Sequence, residues 1–510
     1  MRFFSANRKS IIALASLGLI AGLSAFEHGP EEGGTAKAIG SGVPASSFTN
    51  FESAHVSPIA MTPDGTKLLA VNTANNSLEV FTLSATGMMH FASIPVGLDP
   101  VTVRARTNNE AWVVCQVSDE ISIVDLTLKA TIRSVATENE PADLVFAGTP
   151  QKAYVSCAER ESIQVFDPAN LTTAPVEILL KGEQPRALAV STDGNTVYCA
   201  FFESGNRTTS ISGNDFFSTE HVPTKIGICS TQGGCTMIPN DVKRPTGPYG
   251  GVVPVPNSGT GFNPPLNLSN PPSTETNTMI VRKNAAGQWM DDNNHDWTNI
   301  VSGGAGVRQA GWDMPDRDVA MIATSTNAVT YKSTLGNILM AMSVRPGTGE
   351  VFVVGTDATN EIRFEPNLKG KFLRVNVSRF APPSGSVTIT DMNPQINYST
   401  HTSPLAVRKQ ALGDPRGIAW RTDGTKAYVT GMGSNNVIMI NATGGRTVPD
   451  PIPVGEGPTG IVIDEARQRA YVINKFGGSI STIDLSTDKE VSRTAFFLSL
   501  IHISEPTRPY

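Results

Sequence analysis

An acidic, amide-rich cluster in the middle of the chain carries the residues with the clearest potential for metal chemistry. It reads Asp-Asp-Asn-Asn-His-Asp at residues 291–296. Asp292, Asn294 and Asp296 alternate, and oxygen ligands at alternating positions are typical of calcium-binding loops. Trp297 stands where an EF-hand loop needs its glycine, and the closing glutamate is absent. Two interpretations stay open: a calcium site formed by these three residues, and an Asx-rich turn exposed to solvent.

The cysteines offer redox chemistry of a limited kind. Cys229 and Cys235 lie six residues apart in a glycine-rich loop, and an oxidising compartment favours a local disulfide between them. The other three cysteines fall in equivalent short apolar segments, which predicts small buried side chains rather than reactive thiols; they are Cys115, Cys157 and Cys199.

A second polar cluster, at residues 312–318, contains Arg317. We expect Arg317 to pair with a neighbouring acid, and binding of an anionic group is the alternative. The sequence contains no metalloprotease motif, nucleophile elbow, phosphate-binding loop or Cys-x-x-Cys-His haem motif. It therefore predicts no catalytic residue, no cofactor-binding residue and no cofactor held by this chain apart from the calcium considered above.

A repeat organises the segments around these clusters. Four times a proline is followed thirteen residues later by a tyrosine that opens a short β-rich tetrapeptide, and Pro100 with Trp112 is a near copy at twelve. The four pairs are Pro141/Tyr154, Pro185/Tyr198, Pro415/Tyr428 and Pro458/Tyr471. Neighbouring copies are 41 to 44 residues apart. A repeat of this length built from short strands predicts a β-propeller with one blade per repeat.

The repeat predicts an all-β, seven-bladed propeller of four-stranded antiparallel blades over residues 45–497. An apolar first strand is followed in three blades by an Asp-Gly turn, which supplies the positive φ angle of a tight hairpin. The second strand carries the tyrosine, and the third ends in an acid or amide. The expected blades begin near residues 55, 97, 138, 182, 336, 413 and 456.

Two long insertions interrupt the pattern, at about residues 203–316 and 378–411. The first separates the second and third strands of blade 4, and the second follows the last strand of blade 5. In an up-and-down blade these two kinds of connection emerge on the same side of the disc. Both insertions are therefore expected on one face, and long loops on a rigid scaffold are where function concentrates. We expect a protein partner, or a domain of the same protein, to bind this face.

The two ends of the chain predict processing rather than fold. Residues 1–25 have the charged start and short apolar core of a cleavable signal peptide, and residues 26–44 form a glycine- and glutamate-rich leader. Export to the periplasm or the exterior is therefore expected, with no membrane span in the mature protein. Residues 498–510 resemble a translated sequencing adapter, so native sequence is expected to stop near Phe497 and the original protein to continue. The net charge of −6 argues against nucleic-acid binding.

The tetrapeptides, such as Tyr-Val-Ser-Cys at 154–157 and Tyr-Val-Thr-Gly at 428–431, resemble those of the YVTN-repeat β-propeller family over residues 55–497. Segments 51–58, 284–291 and 355–364 are similar to a subgroup in which the propeller precedes a c-type cytochrome domain related to di-haem peroxidases. That resemblance implies an extracytoplasmic protein with haem c in the downstream domain. This chain lacks the haem-binding cysteine pair, so haem c would belong to a missing part.

Two classes of function follow from these patterns. The preferred one is an exported, non-catalytic binding or scaffold propeller, the first part of a longer redox protein whose peroxidase or electron-transfer activity would lie downstream. The alternatives are a stand-alone propeller enzyme, lactonase-like or quinoprotein-like, and a cell-surface adhesion protein. The sequence leaves open whether the protein is an enzyme.

Overall fold

A computed structural model describes residues 53–212, 228–229, 235–236, 278–291, 294–296, 298, 316–358, 373–397 and 403–496. These residues are almost entirely β-strand, and they form seven four-stranded antiparallel sheets. The sheets follow one another along the chain, with the strands of each in sequence order. The predicted all-β propeller is confirmed.

The spacing between proline and tyrosine arises from the register of the first hairpin in each blade. Tyr154 lies opposite Val145, and Cys157 lies opposite Pro141, with a bulge between the two pairs. Blade 6 repeats this arrangement, with Tyr428 opposite Ala419. Because the bulge adds one residue to the first strand at the same place each time, the spacing stays constant.

Blades 1 to 3 are built from consecutive strands. Blade 1 contains β1 to β4, at Ile59–Met61, Lys67–Asn72, Ser77–Ser84 and Gly87–Pro95. Blade 2 contains β5 to β8, at Pro100–Ala105, Glu110–Cys115, Glu120–Asp125 and Ala130–Ala136. Blade 3 contains β9 to β12, at Pro141–Ala147, Lys152–Cys157, Ser162–Phe166 and Val176–Leu179.

Blade 4 is interrupted between its second and third strands. Its strands are β13, β14, β20 and β21, at Glu183–Val190, Thr196–Glu203, Val319–Ala323 and Val329–Lys332. Within the interruption, a three-stranded sheet contains β15, β18 and β19, at Thr208–Ser212, Thr278–Lys283 and Trp289–Met290. A two-stranded ladder there contains β16 and β17, at Ile228–Cys229 and Cys235–Thr236.

Blades 5 to 7 complete the ring. Blade 5 contains β22 to β25, at Ile338–Val344, Val351–Ala358, Leu373–Phe380 and Thr388–Asp391. A short helix, α1, spans Leu405–Lys409 before the next blade. Blade 6 contains β26 to β29, at Pro415–Trp420, Lys426–Gly431, Asn436–Asn441 and Ile452–Pro453. Blade 7 contains β30 to β33, at Pro458–Asp464, Arg469–Asn474, Ser479–Asp484 and Lys489–Ala495.

The second insertion is shorter than expected. The stretch 378–411 contains the end of β24 and all of β25, so the connection to blade 6 covers residues 392–414. The third strand of blade 5 lies later than the sequence indicated because residues 359–372 separate β23 from β24. Both long connections still leave the blades on one side of the disc, which we call the insertion face.

The core lies between neighbouring sheets. The side chains of Trp112, Tyr154 and Tyr428 are almost completely buried. Trp112 of blade 2 packs with Leu144 and Val155 of blade 3. Since each repeat aromatic fills the gap to the following blade, burial of apolar surface stabilises the ring as a whole rather than each sheet separately.

The innermost strands close the ring. Each of the strands β1, β5, β9, β13, β22, β26 and β30 contacts the next, and β1 contacts β30. The predicted signal peptide, leader and adapter-like tail lie outside the described residues. No helix in the described part of the chain has the length and apolar character that a membrane crossing requires.

Candidate binding face around the propeller axis

A cavity of about 390 Å³ lies on the propeller axis. The innermost strands of all seven blades line it, mostly with aliphatic side chains. Among the residues that line it, Arg104 and Asp143 carry charge. Its size falls at the small end of ligand-binding pockets.

The charged pair in this cavity is fully engaged in holding blades together. The carboxylate of Asp143 is buried and accepts hydrogen bonds from Arg104 Nη2 at 3.1 Å, from Ser57 Oγ at 3.0 Å and from the Leu188 amide at 2.8 Å. These partners come from blades 2 and 4 and from the segment just before β1. A buried carboxylate with this many donors is satisfied, so we assign it a structural role.

The residues just before β1 form an axial segment, residues 53–58, that connects both sides of the ring closure. Ser53 donates its amide to Asp99 Oδ2 at 3.0 Å, and its carbonyl accepts Lys475 Nζ at 2.6 Å. Ser57 forms a parallel β-bridge with Thr102. Blades 7 and 2 are therefore tied to one short segment that runs beside the axis.

His55 lies at the centre of the axial segment and is buried. Its Nδ1 lies 2.8 Å from Thr459 Oγ1 of blade 7, and its Nε2 lies 2.6 Å from Thr73 Oγ1 of blade 1. Burial, and then the positive charges of Lys475 and Arg416, lower the pKa of His55 well below its usual value. The ring is therefore neutral in the folded protein and joins two hydroxyl groups across the closure.

The residue that follows each repeat proline lies at the end of the axial cavity nearest the insertion face. In blades 2, 3 and 7 this residue is uncharged, and in blades 4 and 6 it is arginine. The five residues are Val101, Ala142, Thr459, Arg186 and Arg416. The next residues of the two arginine strands, Ala187 and Gly417, line the cavity.

The two arginines differ in their partners. Arg416 donates to both carboxylate oxygens of Asp414, at 2.7 and 3.2 Å. Arg186 donates to Gln184 Oε1 at 3.1 Å and lies over the ring of Phe202, with 4.4 Å from Cζ to the ring centroid. Among the described residues no carboxylate forms an ion pair with Arg186.

Desolvation has a large effect on Arg186. Burial, followed by the positive charge of Arg416, lowers its pKa to about 10, whereas Glu140 and Glu203 act in the opposite direction. Its Nε is buried and donates to no described residue. The guanidinium remains protonated at neutral pH, and one donor on Nη2 meets a protein acceptor.

We call the end of the axial cavity nearest the insertion face, where the residues after the repeat prolines lie, the axial opening. The insertion face exposes apolar side chains beside this opening. Leu98, Val117 and Phe476 are 50%, 57% and 65% exposed. They lie in the connections that enter first strands or join second and third strands, as do both insertions. The Phe496 amide, just after β33, donates to the carbonyl of Gly478 at 2.7 Å, so the last strand also ends at this face.

The structure describes part of the predicted calcium site. Asn294 is exposed with a φ of 62°. The Asp296 carboxylate accepts the Thr298 amide at 2.8 Å and Gln288 Nε2 at 2.9 Å. A hydrogen bond from the Thr298 side chain, followed by these two, lowers the pKa of Asp296. Asp292 lies outside the described residues, so calcium binding remains a prediction. In the part of the chain that is described, no three His, Cys, Asp or Glu residues come together as a metal site.

The cysteines fall into two groups. Burial raises the pKa of the Cys115 and Cys157 thiols to about 12 and that of Cys199 well above its usual value. All three are buried and free, as the sequence predicted. Cys229 lies directly opposite Cys235 in the ladder of β16 and β17. The described part of the structure does not include these two side chains, so the disulfide remains a prediction.

Arg317 has other partners than the expected acid. Its Nη1 donates to the Lys181 carbonyl at 2.7 Å, and its guanidinium lies over Tyr331. The neighbouring Asp316 pairs with Arg207 at 2.8 Å. The sequence missed this arrangement because Lys181 and Arg207 are distant in the chain.

Asp318 is the buried acid of the same cluster. It accepts hydrogen bonds from the Ser204 hydroxyl and, at 2.5 Å, from the Leu335 amide. Burial raises its pKa to about 7 against the effect of these donors. Asp318 thereby joins both ends of the first insertion to the entry of blade 5.

Comparisons with known proteins show the fold. A propeller from Kuenenia stuttgartiensis hydrazine synthase is similar, with a TM-score of 0.54, 15% identity, and coverage of 86% of this chain and 98% of the other. Virginiamycin B lyase from Staphylococcus aureus matches with a TM-score of 0.45 and 9% identity over 83% and 93% of the chains. A putative 6-phosphogluconolactonase from Bacteroides uniformis matches with a TM-score of 0.41 and 11% identity, over 80% of this chain and 88% of the other. No family model matches this chain, and no curated protein matches its sequence.

Proposed function

We propose that this protein is an exported, non-catalytic β-propeller of the YVTN-repeat type that binds a protein partner through its insertion face. The observation that carries the proposal is the set of exposed apolar side chains, Leu98, Val117 and Phe476, on the face that also bears both insertions. Exposed apolar side chains grouped on one face are typical of protein-binding surfaces.

The scaffold suits this role because the exposed side chains stand on loops that are packed or hydrogen-bonded to neighbouring loops. Phe476 stands over Gly457, where a Cβ would lie 2.4 Å from the Phe476 ring. Val117 is held by a 3.3 Å hydrogen bond from its amide to the Leu98 carbonyl. Loops that are already ordered add little backbone entropy cost on binding, so these three side chains are suitable anchors.

We further propose that the partner is a c-type cytochrome domain encoded downstream of residue 497 and carrying haem c. The resemblance of segments 51–58, 284–291 and 355–364 to cytochrome-linked propellers supports this choice. The position of Phe496 beside Gly478 supports it as well, because a following domain would start at the insertion face. A signal peptide at residues 1–25 and a periplasmic or secreted location belong to the same proposal.

A second candidate function is that of a stand-alone enzyme with its site in the axial cavity. The cavity of about 390 Å³ favours it. Against it, the charged lining residues Arg104 and Asp143 are bonded to each other at 3.1 Å and hold the blades. The binding role is therefore the better supported.

The first experiment is to sequence the uninterrupted gene past codon 497. A Cys-x-x-Cys-His motif is expected there. A stop codon within a few residues would remove the cytochrome domain from the proposal, and the binding role of the face would then be tested with other partners.

The second experiment measures binding of the separately purified downstream domain to the propeller by biolayer interferometry. Val117→Glu and Phe476→Glu are each expected to weaken binding at least tenfold, since each buries a charge in an apolar contact. Leu128→Glu is the matched control, because Leu128 is 69% exposed in the same blade as Val117 but lies in a turn on the opposite face. Equal affinities for all three variants and the wild type would contradict the proposal.

A further inference from the structure

The axial opening contains a partly buried guanidinium, that of Arg186, which has few hydrogen-bond acceptors among the described residues. Arg186 and Arg416 come from equivalent positions of blades 4 and 6. The residues that follow them, Ala187 and Gly417, line the same axial cavity, and the positive charge of Arg416 contributes to the lowered pKa of Arg186. Two like charges in a partly desolvated place repel each other, which costs stability unless a counter-charge is present.

The described surroundings of Arg186 offer its guanidinium few acceptors. Among the described residues, one of its five N–H donors, on Nη2, donates to a protein atom, Gln184 Oε1 at 3.1 Å. By contrast, Arg446, also partly buried, donates to the carbonyls of Met392, Gln410 and Pro449. Among the described residues, Arg186 therefore has fewer protein acceptors than Arg446.

We propose that Arg186 and Arg416 bind a small carboxylate anion at the end of the axial cavity nearest the insertion face. The planar carboxylate matches the donor geometry of a guanidinium. The ring of Phe202 holds the guanidinium of Arg186 at 4.4 Å and limits its motion. The aliphatic cavity next to both arginines would accept an apolar tail on the same anion.

The charge of the surroundings favours a carboxylate over phosphate. Glu140 and Glu203 interact with Arg186, and Asp414 already pairs with Arg416. Lys475 and the neutral ring of His55 lie on the blade 7 side of the opening. With Lys475, three cationic side chains balance these three acids, so one further negative charge is tolerated better than the two of a phosphate dianion.

The proposal is tested by isothermal titration calorimetry of the full chain with sodium succinate and, separately, sodium phosphate. Sodium chloride keeps the ionic strength constant at pH 7.5. Saturable 1:1 binding of succinate is expected, and phosphate is expected to bind more weakly. Arg186→Gln and Arg416→Gln should each weaken succinate binding at least tenfold.

The matched control is Arg317→Gln. Arg317 also lies over an aromatic ring, Tyr331, and donates to a carbonyl, but it comes from the third-strand entry of blade 4 rather than from the axis. This variant is expected to bind succinate like the wild type. Phe202→Leu keeps both charges and should weaken binding severalfold, which preserves the test if Arg186→Gln fails to fold.

Three results would overturn the inference. These are an absence of saturable succinate binding by the wild type, wild-type affinity in a folded Arg186→Gln or Phe202→Leu variant, and an equal loss of affinity in Arg317→Gln. Tighter binding of phosphate than of succinate would refute the carboxylate assignment. None of these results bears on the Val117 and Phe476 variants, so the docking role is tested separately.

Discussion

Acidification should weaken the ring closure through His55. The ring is buried, neutral and bonded to Thr459 and Thr73 from two different blades. Protonation would place a positive charge beside Lys475 and Arg416, which already lower the pKa of His55. The unfolded chain takes up the proton near its usual pKa of 6.5, whereas the folded protein does not. Unfolding is therefore favoured as the pH falls below 6.5.

The magnitude follows from proton linkage. When the folded ring stays neutral, the contribution of one histidine to the free energy of unfolding falls by about 1.4 kcal/mol between pH 7.5 and 5.5. It falls by roughly the same amount again for the next pH unit, until the folded ring itself titrates. Other groups titrate in this range too, so the quantity to measure is the difference between the wild type and a variant without the imidazole.

Urea-induced unfolding at pH 7.5 and 5.5 measures this difference. His55→Gln keeps a polar side chain between the two threonines but cannot be protonated. The variant is expected to be less stable at pH 7.5 and to lose about 1.4 kcal/mol less than the wild type on acidification. His295→Gln, which removes an exposed histidine, is the control for the loss of an imidazole elsewhere in the chain. If His55→Gln and the wild type lose the same free energy, the structural argument is refuted.

Three further predictions follow from single residues. The pKa of Asp318 is raised to about 7, so the folded state holds a proton that the unfolded state releases near 3.8. The wild type should therefore lose stability relative to Asp318→Asn as the pH rises from 4 to 7. If urea unfolding shows the same change in stability for both proteins across that range, the prediction is contradicted. Gly457→Ala should lower the free energy of unfolding by more than Gly194→Ala, for which about 1 kcal/mol is expected, since both glycines have positive φ. A Cβ at 457 would lie 2.4 Å from the Phe476 ring, whereas a Cβ at 194 would have no atom within 4 Å. Equal losses in denaturant unfolding would show that the Phe476 ring moves aside. The buried thiols of Cys115, Cys157 and Cys199 should resist maleimide labelling in the native protein and react after unfolding. Mass spectrometry detects the label, and rapid labelling of the native protein would disprove their burial.

Much of the fold is predictable from sequence because the repeat encodes a register. Tyr471 lies opposite Val462 for the same reason that Tyr154 lies opposite Val145: the proline, the bulge and the turn recur. The near copy at Pro100 and Trp112 is one residue shorter, yet Trp112 still lies opposite Arg104, the fourth residue after the proline. The difference is therefore absorbed in the turn.

The axial opening is less predictable from the sequence because its residues come from different repeats. The arginines after Pro185 and Pro415 do leave a signal, since the same position is uncharged in blades 2, 3 and 7. His55 leaves none, because the axial segment precedes the first copy of the repeat. Its contacts with Thr459 span 404 residues, and no local pattern specifies a pair at that separation.

The position of the first insertion has a consequence for biosynthesis. β14 hydrogen-bonds to β20, and residues 204–318 must be made before that partner exists. At about 5–20 residues per second, translation leaves the outer edge of β14 unpaired for on the order of ten seconds. An apolar strand with a free edge is a template for incorrect pairing. Nascent blade 4 is therefore the point in the chain at which a chaperone, or early closure of the inserted three-stranded sheet, would have the greatest effect on yield.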